Sequence, residues 1–90
     1  MPKLVISFTW KGKKETADVL KNNSGPMQIY NVYFTNPFLT EKYGSLVIEK
    51  SNGMYSDITD KDKIVPIDLI DLVCMSIRAQ EEPHTVGQIS

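Results

Sequence analysis

The sequence is poor in the residue types that most often carry catalysis or bind metals. Its 90 residues include one cysteine, Cys74, and one histidine, His84. A single cysteine excludes an intrachain disulfide and a zinc site with four thiolate ligands. His84 follows a proline near the chain end, where we expect a solvated residue rather than a general base. The five glycines are dispersed, so no glycine-rich phosphate loop is present.

Long apolar runs are also absent. No run reaches the roughly 18–20 residues that a transmembrane helix needs, so we expect no membrane partner. The N-terminal segment MPKLVISFTW has an apolar run too short for a secretory signal and lacks a small-residue cleavage site. The sequence therefore predicts a cytoplasmic protein. The net charge of −1 gives no general attraction to nucleic acid.

Alternation of apolar and polar residues predicts several strands. Residues 3–10 alternate strictly, and a tight turn leads into a weaker strand over residues 14–21. Residues 27–34 have apolar side chains on both faces, which favours a central strand. Pro37 is expected to break the chain after it, because proline cannot donate to a ladder. Asn52-Gly53 between two extended runs predicts a hairpin.

The C-terminal third has the period of a helix over residues 66–82, and Pro83 ends it. One arc of this helix is apolar: Pro66, Ile67, Leu69, Ile70, Val73, Cys74 and Ile77. We therefore predict an α+β fold, an antiparallel β-meander of four to five strands with one C-terminal helix packed on one face. Residues 1–83 are expected to form a single compact domain, and residues 84–90 a short mobile tail.

Apolar residues also occur on the side of this helix opposite the predicted core. Leu72, Met75 and Ala79 form a narrow stripe at helical spacing. Asp68, Asp71 and Glu82 border it, so the predicted rim is acidic. An apolar stripe with a polar rim is typical of a small partner surface. We expect a non-enzymatic protein-interaction module that self-associates or docks on a larger partner. The alternatives are isolated exposed apolar residues, or a stripe covered by the tail.

A second candidate function is single-stranded nucleic-acid binding at the first hairpin, where basic residues accompany an aromatic ring. The residues concerned are Trp10, Lys11, Lys13 and Lys14. The acidic second half of the chain opposes nucleic acid, so a protein partner or homodimer is the favoured expectation.

A third interpretation uses the aspartates between residues 57 and 71. Asp57, Asp60 and Asp62 crowd one segment, but their spacing lacks the glycine and closing glutamate of a calcium loop. Asp68 and Asp71 share a helix face without a predicted cleft. These acids would support only a weak metal site or the active site of a small enzyme. We assign no catalytic residue, cofactor, metal or small-molecule ligand, and we expect Cys74 to lie in the core.

Overall fold

The computed structural model describes residues 3–59 and 63–82. Its strands are β1 (Lys3–Trp10), β2 (Lys13–Ser24), β3 (Met27–Phe34), β4 (Leu46–Ser51) and β5 (Met54–Asp57). Its helices are α1 (Pro37–Tyr43) and α2 (Ile67–Glu81). The strands form one antiparallel sheet in chain order, and α2 packs against β1 and β5. The predicted α+β meander with a C-terminal helix is confirmed. The proposed boundary at residue 83 and the tail lie outside the described residues.

Two tight turns have the same backbone conformation. Lys11 and Gly12 join β1 to β2 with φ angles of 53° and 79°. Asn52 and Gly53 join β4 to β5 with φ angles of 55° and 77°. Two successive residues with positive φ give the two-residue turn whose twist matches that of paired strands, and glycine adopts it without steric cost. The predicted hairpin at Asn52-Gly53 is confirmed.

One hydrophobic core lies between the sheet and the helices. Alternate residues of the first four strands contribute Ile6, Phe8, Ala17, Val19, Tyr30, Val32, Phe34, Leu46 and Ile48. From α2, the three residues Leu69, Val73 and Ile77 are fully buried against them. Each such Leu, Val or Ile stabilises the fold by about 1.5–3 kcal/mol. The helix is therefore a principal source of stability for the sheet.

The segment after β3 differs from the prediction. Strand β3 ends at Phe34 as expected, but the chain then forms α1 instead of a loop. Asn36 caps this helix, because its Oδ1 accepts a hydrogen bond from the backbone N–H of Phe38 at 2.9 Å. Pro37 occupies the first helical position, where its fixed φ suits the helix and its missing N–H costs nothing. Leu39 and Tyr43 of α1 then join the core.

The inward arc of α2 is rotated relative to the prediction, because Leu72 packs against the core and Ile67 does not. Ile67 is 70% exposed, and Cys74 is half-buried at the edge of the core rather than within it. The helix ends at Glu81, and the backbone N–H of Glu82 donates to the Arg78 carbonyl at 2.8 Å. The hydroxyl of Ser76 donates to the Leu72 carbonyl of its own helix at 2.8 Å and lies 3.3 Å from the Ser7 carbonyl of β1.

Candidate functional site

The predicted apolar stripe on α2 is not uniform. Met75 is 66% exposed, and Ala79 is exposed on the same side of the helix. Leu72 differs from the expectation, because it is half-buried and packs against the core. The stripe therefore begins at the contact between α2 and the sheet and continues outward to Met75.

Met75 forms a ridge between two shallow grooves. In the first groove, Leu72 and Ala79 face Ser7 and Phe8 of β1. The second groove lies on the other side of Met75, toward the β4–β5 hairpin. Its apolar wall includes Met54, which is 69% exposed, and Cys74. We call the apolar residues of both grooves on α2 and the hairpin the α2 surface: Met54, Leu72, Cys74, Met75 and Ala79.

Charged residues border the α2 surface with both signs. Asp68 and Asp71 are exposed near the start of α2, and Arg78 is exposed near its end. Asp71 precedes Met75 by four residues and Arg78 follows it by three, so both lie along one side of the ridge. Arg78 Nε is 3.8 Å from Glu82 Oε1, a long and weak pairing. The rim that the sequence indicates as acidic is therefore mixed.

The thiol of Cys74 is not set up as a nucleophile. Burial raises its pKa to about 11, and the negative charges of Asp71 and Asp57 act in the same direction. The thiolate is the reactive form of cysteine, and it is scarce at neutral pH when the pKa is this high. Cys74 therefore contributes apolar surface to the second groove.

A polar cluster anchors the C-terminal end of α2 to the sheet. Glu81 Oε1 accepts hydrogen bonds from Lys21 Nζ at 2.6 Å and from the Tyr30 hydroxyl at 3.0 Å. Burial of the Glu81 carboxyl acts to raise its pKa, but donation from Lys21 and Tyr30 outweighs it and holds the pKa below its ordinary value. Burial and the hydrogen bond to Glu81 raise the pKa of Tyr30, which stays neutral.

Glu82 extends this cluster to the far edge of the sheet. Its Oε2 accepts from the Tyr55 hydroxyl at 3.2 Å and lies 3.4 Å from Lys50 Nζ. Within the described ranges, every buried side-chain nitrogen and oxygen has a hydrogen-bond partner. The cluster therefore holds the helix end on the sheet, and its polar groups are already committed to one another.

The structure separates the residues of the predicted basic hairpin. Trp10 and Lys13 are directly opposite each other across β1 and β2, on the face that carries the core. Lys11 lies in the turn, with its Nζ 5.6 Å from the centroid of the Trp10 ring. Lys14 is one residue further along β2 and therefore belongs to the opposite face. Three of the four predicted residues remain together.

Helix α1 brings additional residues to this hairpin. Phe38 is 76% exposed and stands one helical turn from Lys42, whose Nζ is 5.7 Å from the Tyr43 ring centroid. We call the resulting cavity the hairpin pocket. The side chains at its rim are Trp10, Lys11, Lys13, Phe38, Lys42 and Tyr43. The contribution of α1 was missed from sequence, although Asn36-Pro37 is a helix-start signal that would have indicated it.

A buried carboxylate lies at the base of the hairpin pocket. Glu15 is only 8% exposed, and Nδ2 of Asn36 lies 3.2 Å from each of its carboxylate oxygens. Asn36 thus holds Glu15 with its amide nitrogen and caps α1 with its amide oxygen. This link fixes the start of α1, and with it Phe38 and Lys42, against the hairpin.

Only part of the acidic segment considered as a weak metal site lies within the described residues. Asp57 Oδ1 accepts from the backbone N–H of Thr59 at 3.0 Å. Asp60 and Asp62 lie outside the described residues, as does His84. In residues 3–59 and 63–82, no group of three or more His, Cys, Asp or Glu side chains is arranged to hold a metal ion.

None of the helices that the structure describes has the length and apolar character to cross a membrane. No protein-family model, curated protein or solved structure significantly matches the chain.

Proposed function

We propose that this protein is a non-enzymatic interaction module that self-associates through the α2 surface. The observation that carries the proposal is Met75, a two-thirds exposed apolar side chain that stands between two grooves with apolar walls. Methionine is flexible and polarisable, and it is common at surfaces that bind other proteins. An exposed ridge flanked by grooves is complementary in shape to a second copy of itself.

A two-fold axis at Met75 gives the most favourable pairing of two α2 helices. The helices would cross antiparallel, and the two Met75 side chains would pack against each other at the axis. On the β1 side of the ridge, Leu72 of one copy then approaches Ala79 of the other. These residues precede and follow Met75 by similar distances along the helix, as the symmetry requires.

The charges on the other side of the ridge support the same arrangement. An antiparallel crossing centred on Met75 brings Asp71 of one copy near Arg78 of the other, twice across the axis. A parallel two-fold pairing would instead place the Asp71–Arg78 side of one helix against the Leu72–Ala79 side of the other, without these charge pairs. Because one helix face and one hairpin tip form the contact, we expect a small interface with a dissociation constant on the order of micromolar or weaker.

Sedimentation equilibrium from about 5 to about 500 μM tests the proposal by mass action. The wild-type chain should change from monomer toward dimer over this range. Met75→Lys should weaken association at least about 10-fold, because it places an unpaired charge in the contact. Leu72 is not a suitable test position because it packs against the core. A substitution there would change the stability of the fold as well as association.

Val5→Lys is the matched control, since Val5 is also exposed, at 55%, but lies on β1 in the face opposite the core. It should leave association unchanged. A wild-type chain that stays monomeric at the highest concentration would refute self-association and leave docking on a different protein as the use of this surface. Equal effects of Met75→Lys and Val5→Lys would refute the assignment of the surface.

A further inference from the structure

The hairpin pocket combines an exposed ring with uncommitted positive charge. Phe38 is 76% exposed, an unfavourable position for a phenyl ring in water. The cavity beside it has a volume of about 290 Å³, at the lower end of the range for small-molecule sites. A pocket of this size suits one flat group that rests on the ring, not a large enclosed ligand.

The three lysines at the rim have no carboxylate partner in the part of the chain that the structure describes. Elsewhere, Lys3, Lys21 and Lys50 each pair with an aspartate or glutamate within 3.8 Å. Lys14 also has no ion pair among the described residues, but it lies outside the pocket. At the rim, two lysines lie over aromatic rings and none has an ion pair: Lys11, Lys13 and Lys42. The ring contacts keep ammonium groups close to the pocket while leaving their charge available to an anion.

The single carboxylate of the pocket does not cancel this charge. Glu15 lies at the base and is held by the amide nitrogen of Asn36. Three lysines against one glutamate leave a local balance of about +2, although the whole chain carries −1. The pocket is therefore a local positive site on a slightly acidic protein.

We propose that the hairpin pocket binds one nucleotide unit of a single-stranded nucleic acid. The base stacks on Phe38, and the flanking phosphates lie at Lys11, Lys13 and Lys42. Base stacking on an aromatic ring combined with lysine contacts to the backbone is the chemistry by which single strands are bound without sequence preference. An acidic peptide fits less well, because carboxylates are best matched by the arginine fork and the pocket has no arginine.

The first experiment measures binding of a fluorescently labelled eight-nucleotide single strand by anisotropy at low salt. Trp10 is the only tryptophan of the chain, so its emission reports independently whether the strand lies in the pocket. We expect binding with quenching of Trp10, and an affinity that falls with salt with a log–log slope of about −1.4, from about −0.7 for each of the two phosphates that flank the nucleotide. No binding at low salt, or binding without a change in Trp10 emission, would overturn the proposal.

Three variants separate stacking from charge. Phe38→Ala should weaken binding about 10-fold and leave the unfolding temperature unchanged, because the ring is exposed. Lys42→Ala should make the salt slope shallower by about 0.7. Lys14→Ala is the matched control, because Lys14 is a lysine of the same hairpin on the opposite face. It should change neither the binding affinity nor the salt slope. Equal losses in Lys14→Ala and Lys42→Ala would contradict the pocket assignment.

Competing ligands distinguish the source of the nucleotide and the class of macromolecule. A free mononucleotide should bind at least about 10-fold more weakly than the strand, since it offers fewer phosphates to the three lysines. A polyglutamate peptide of matched charge should not displace the strand at equal concentration. Equal affinity for the mononucleotide, or displacement by polyglutamate, would overturn the proposal. Met75→Lys should leave binding of the eight-nucleotide strand to a single hairpin pocket unchanged, because the hairpin pocket and the α2 surface share no residue.

Discussion

Glu81 illustrates at the residue scale how a charged side chain can end a helix and also fasten it to a sheet. Its carboxylate accepts hydrogen bonds from Lys21 of β2 and from the Tyr30 hydroxyl of β3. Both partners are far from Glu81 in the sequence. The helical period of residues 66–82 identifies the buried face of α2 but contains no information on these partners. The partners come from register in the sheet, which places Lys21 opposite Tyr30.

Glu81→Gln should lower the free energy of unfolding at pH 7 by about 1–2 kcal/mol, as is typical for loss of a charged hydrogen-bond acceptor. The pKa of Glu81 is lowered in the folded state, so its contribution to stability is present above the ordinary value of 4.5 and is lost as pH falls through the lower folded value. Urea unfolding of the wild type and the variant at pH 7 and pH 3 measures the loss of stability and its dependence on pH. The difference between wild type and variant should shrink at pH 3.

Asp68→Asn provides the control for this measurement, because Asp68 is an exposed acid of the same helix without a hydrogen bond to the sheet. It should change stability by no more than about 0.5 kcal/mol at either pH. If Glu81→Gln were equally neutral at pH 7, the cluster would be a surface contact and not an anchor.

At the scale of single elements, α1 depends on one asparagine that has two functions. The amide oxygen of Asn36 caps the helix, and its amide nitrogen holds the buried carboxylate of Glu15. Removing the side chain would leave both the Phe38 N–H and the Glu15 carboxylate without this partner. A buried charge that loses its hydrogen-bond donor is costly, so the two losses should add to more than an ordinary cap deletion.

Asn36→Asp separates the two functions. The aspartate keeps a cap acceptor for α1 but places a second carboxylate beside Glu15, so we expect a loss of about 2–3 kcal/mol. Adding Glu15→Gln supplies an amide donor to Asp at position 36 and should recover more than half of the loss. Urea unfolding of the single and double variants gives the coupling energy. Additive losses would show that the Glu15–Asn36 contact has no energetic role.

The strands and their turns could be predicted from sequence because their signals are local. Alternation defines β1 and β3, and positive-φ residues define the turn at Asn52-Gly53. The sequence pattern does not predict α1, because Pro37 equally fits the end of a strand. Proline both ends strands and starts helices, and the choice depends on the cap at Asn36 and on burial of Leu39 and Tyr43.

The candidate sites were only partly predictable for the same reason. Helical spacing places Leu72, Met75 and Ala79 on one side of α2, but the grooves beside them require β1 and the β4–β5 hairpin. Strand alternation alone would have separated Lys14 from Lys13. No local signal connects Phe38 with Trp10, because their proximity depends on how α1 packs next to the first hairpin.

At the scale of the whole molecule, the two candidate surfaces use different elements. The α2 surface is apolar with charges of both signs at its border, whereas the hairpin pocket is aromatic and positive. Since they share no residue, a dimer formed through α2 would carry two hairpin pockets. The affinity of a dimer for a single-stranded oligonucleotide should then increase with oligonucleotide length once one molecule can reach both pockets. The reason is that binding at the first pocket raises the effective concentration of the oligonucleotide at the second.

The central claim is the antiparallel pairing of two α2 helices about Met75, and a charge exchange tests it most directly. Sedimentation equilibrium of Asp71→Arg and of Arg78→Asp should each show association several-fold weaker than wild type, because each single change brings like charges together across the axis. The double variant restores opposite charges and should recover wild-type association to within about two-fold. A double variant as weak as the single variants would contradict the pairing.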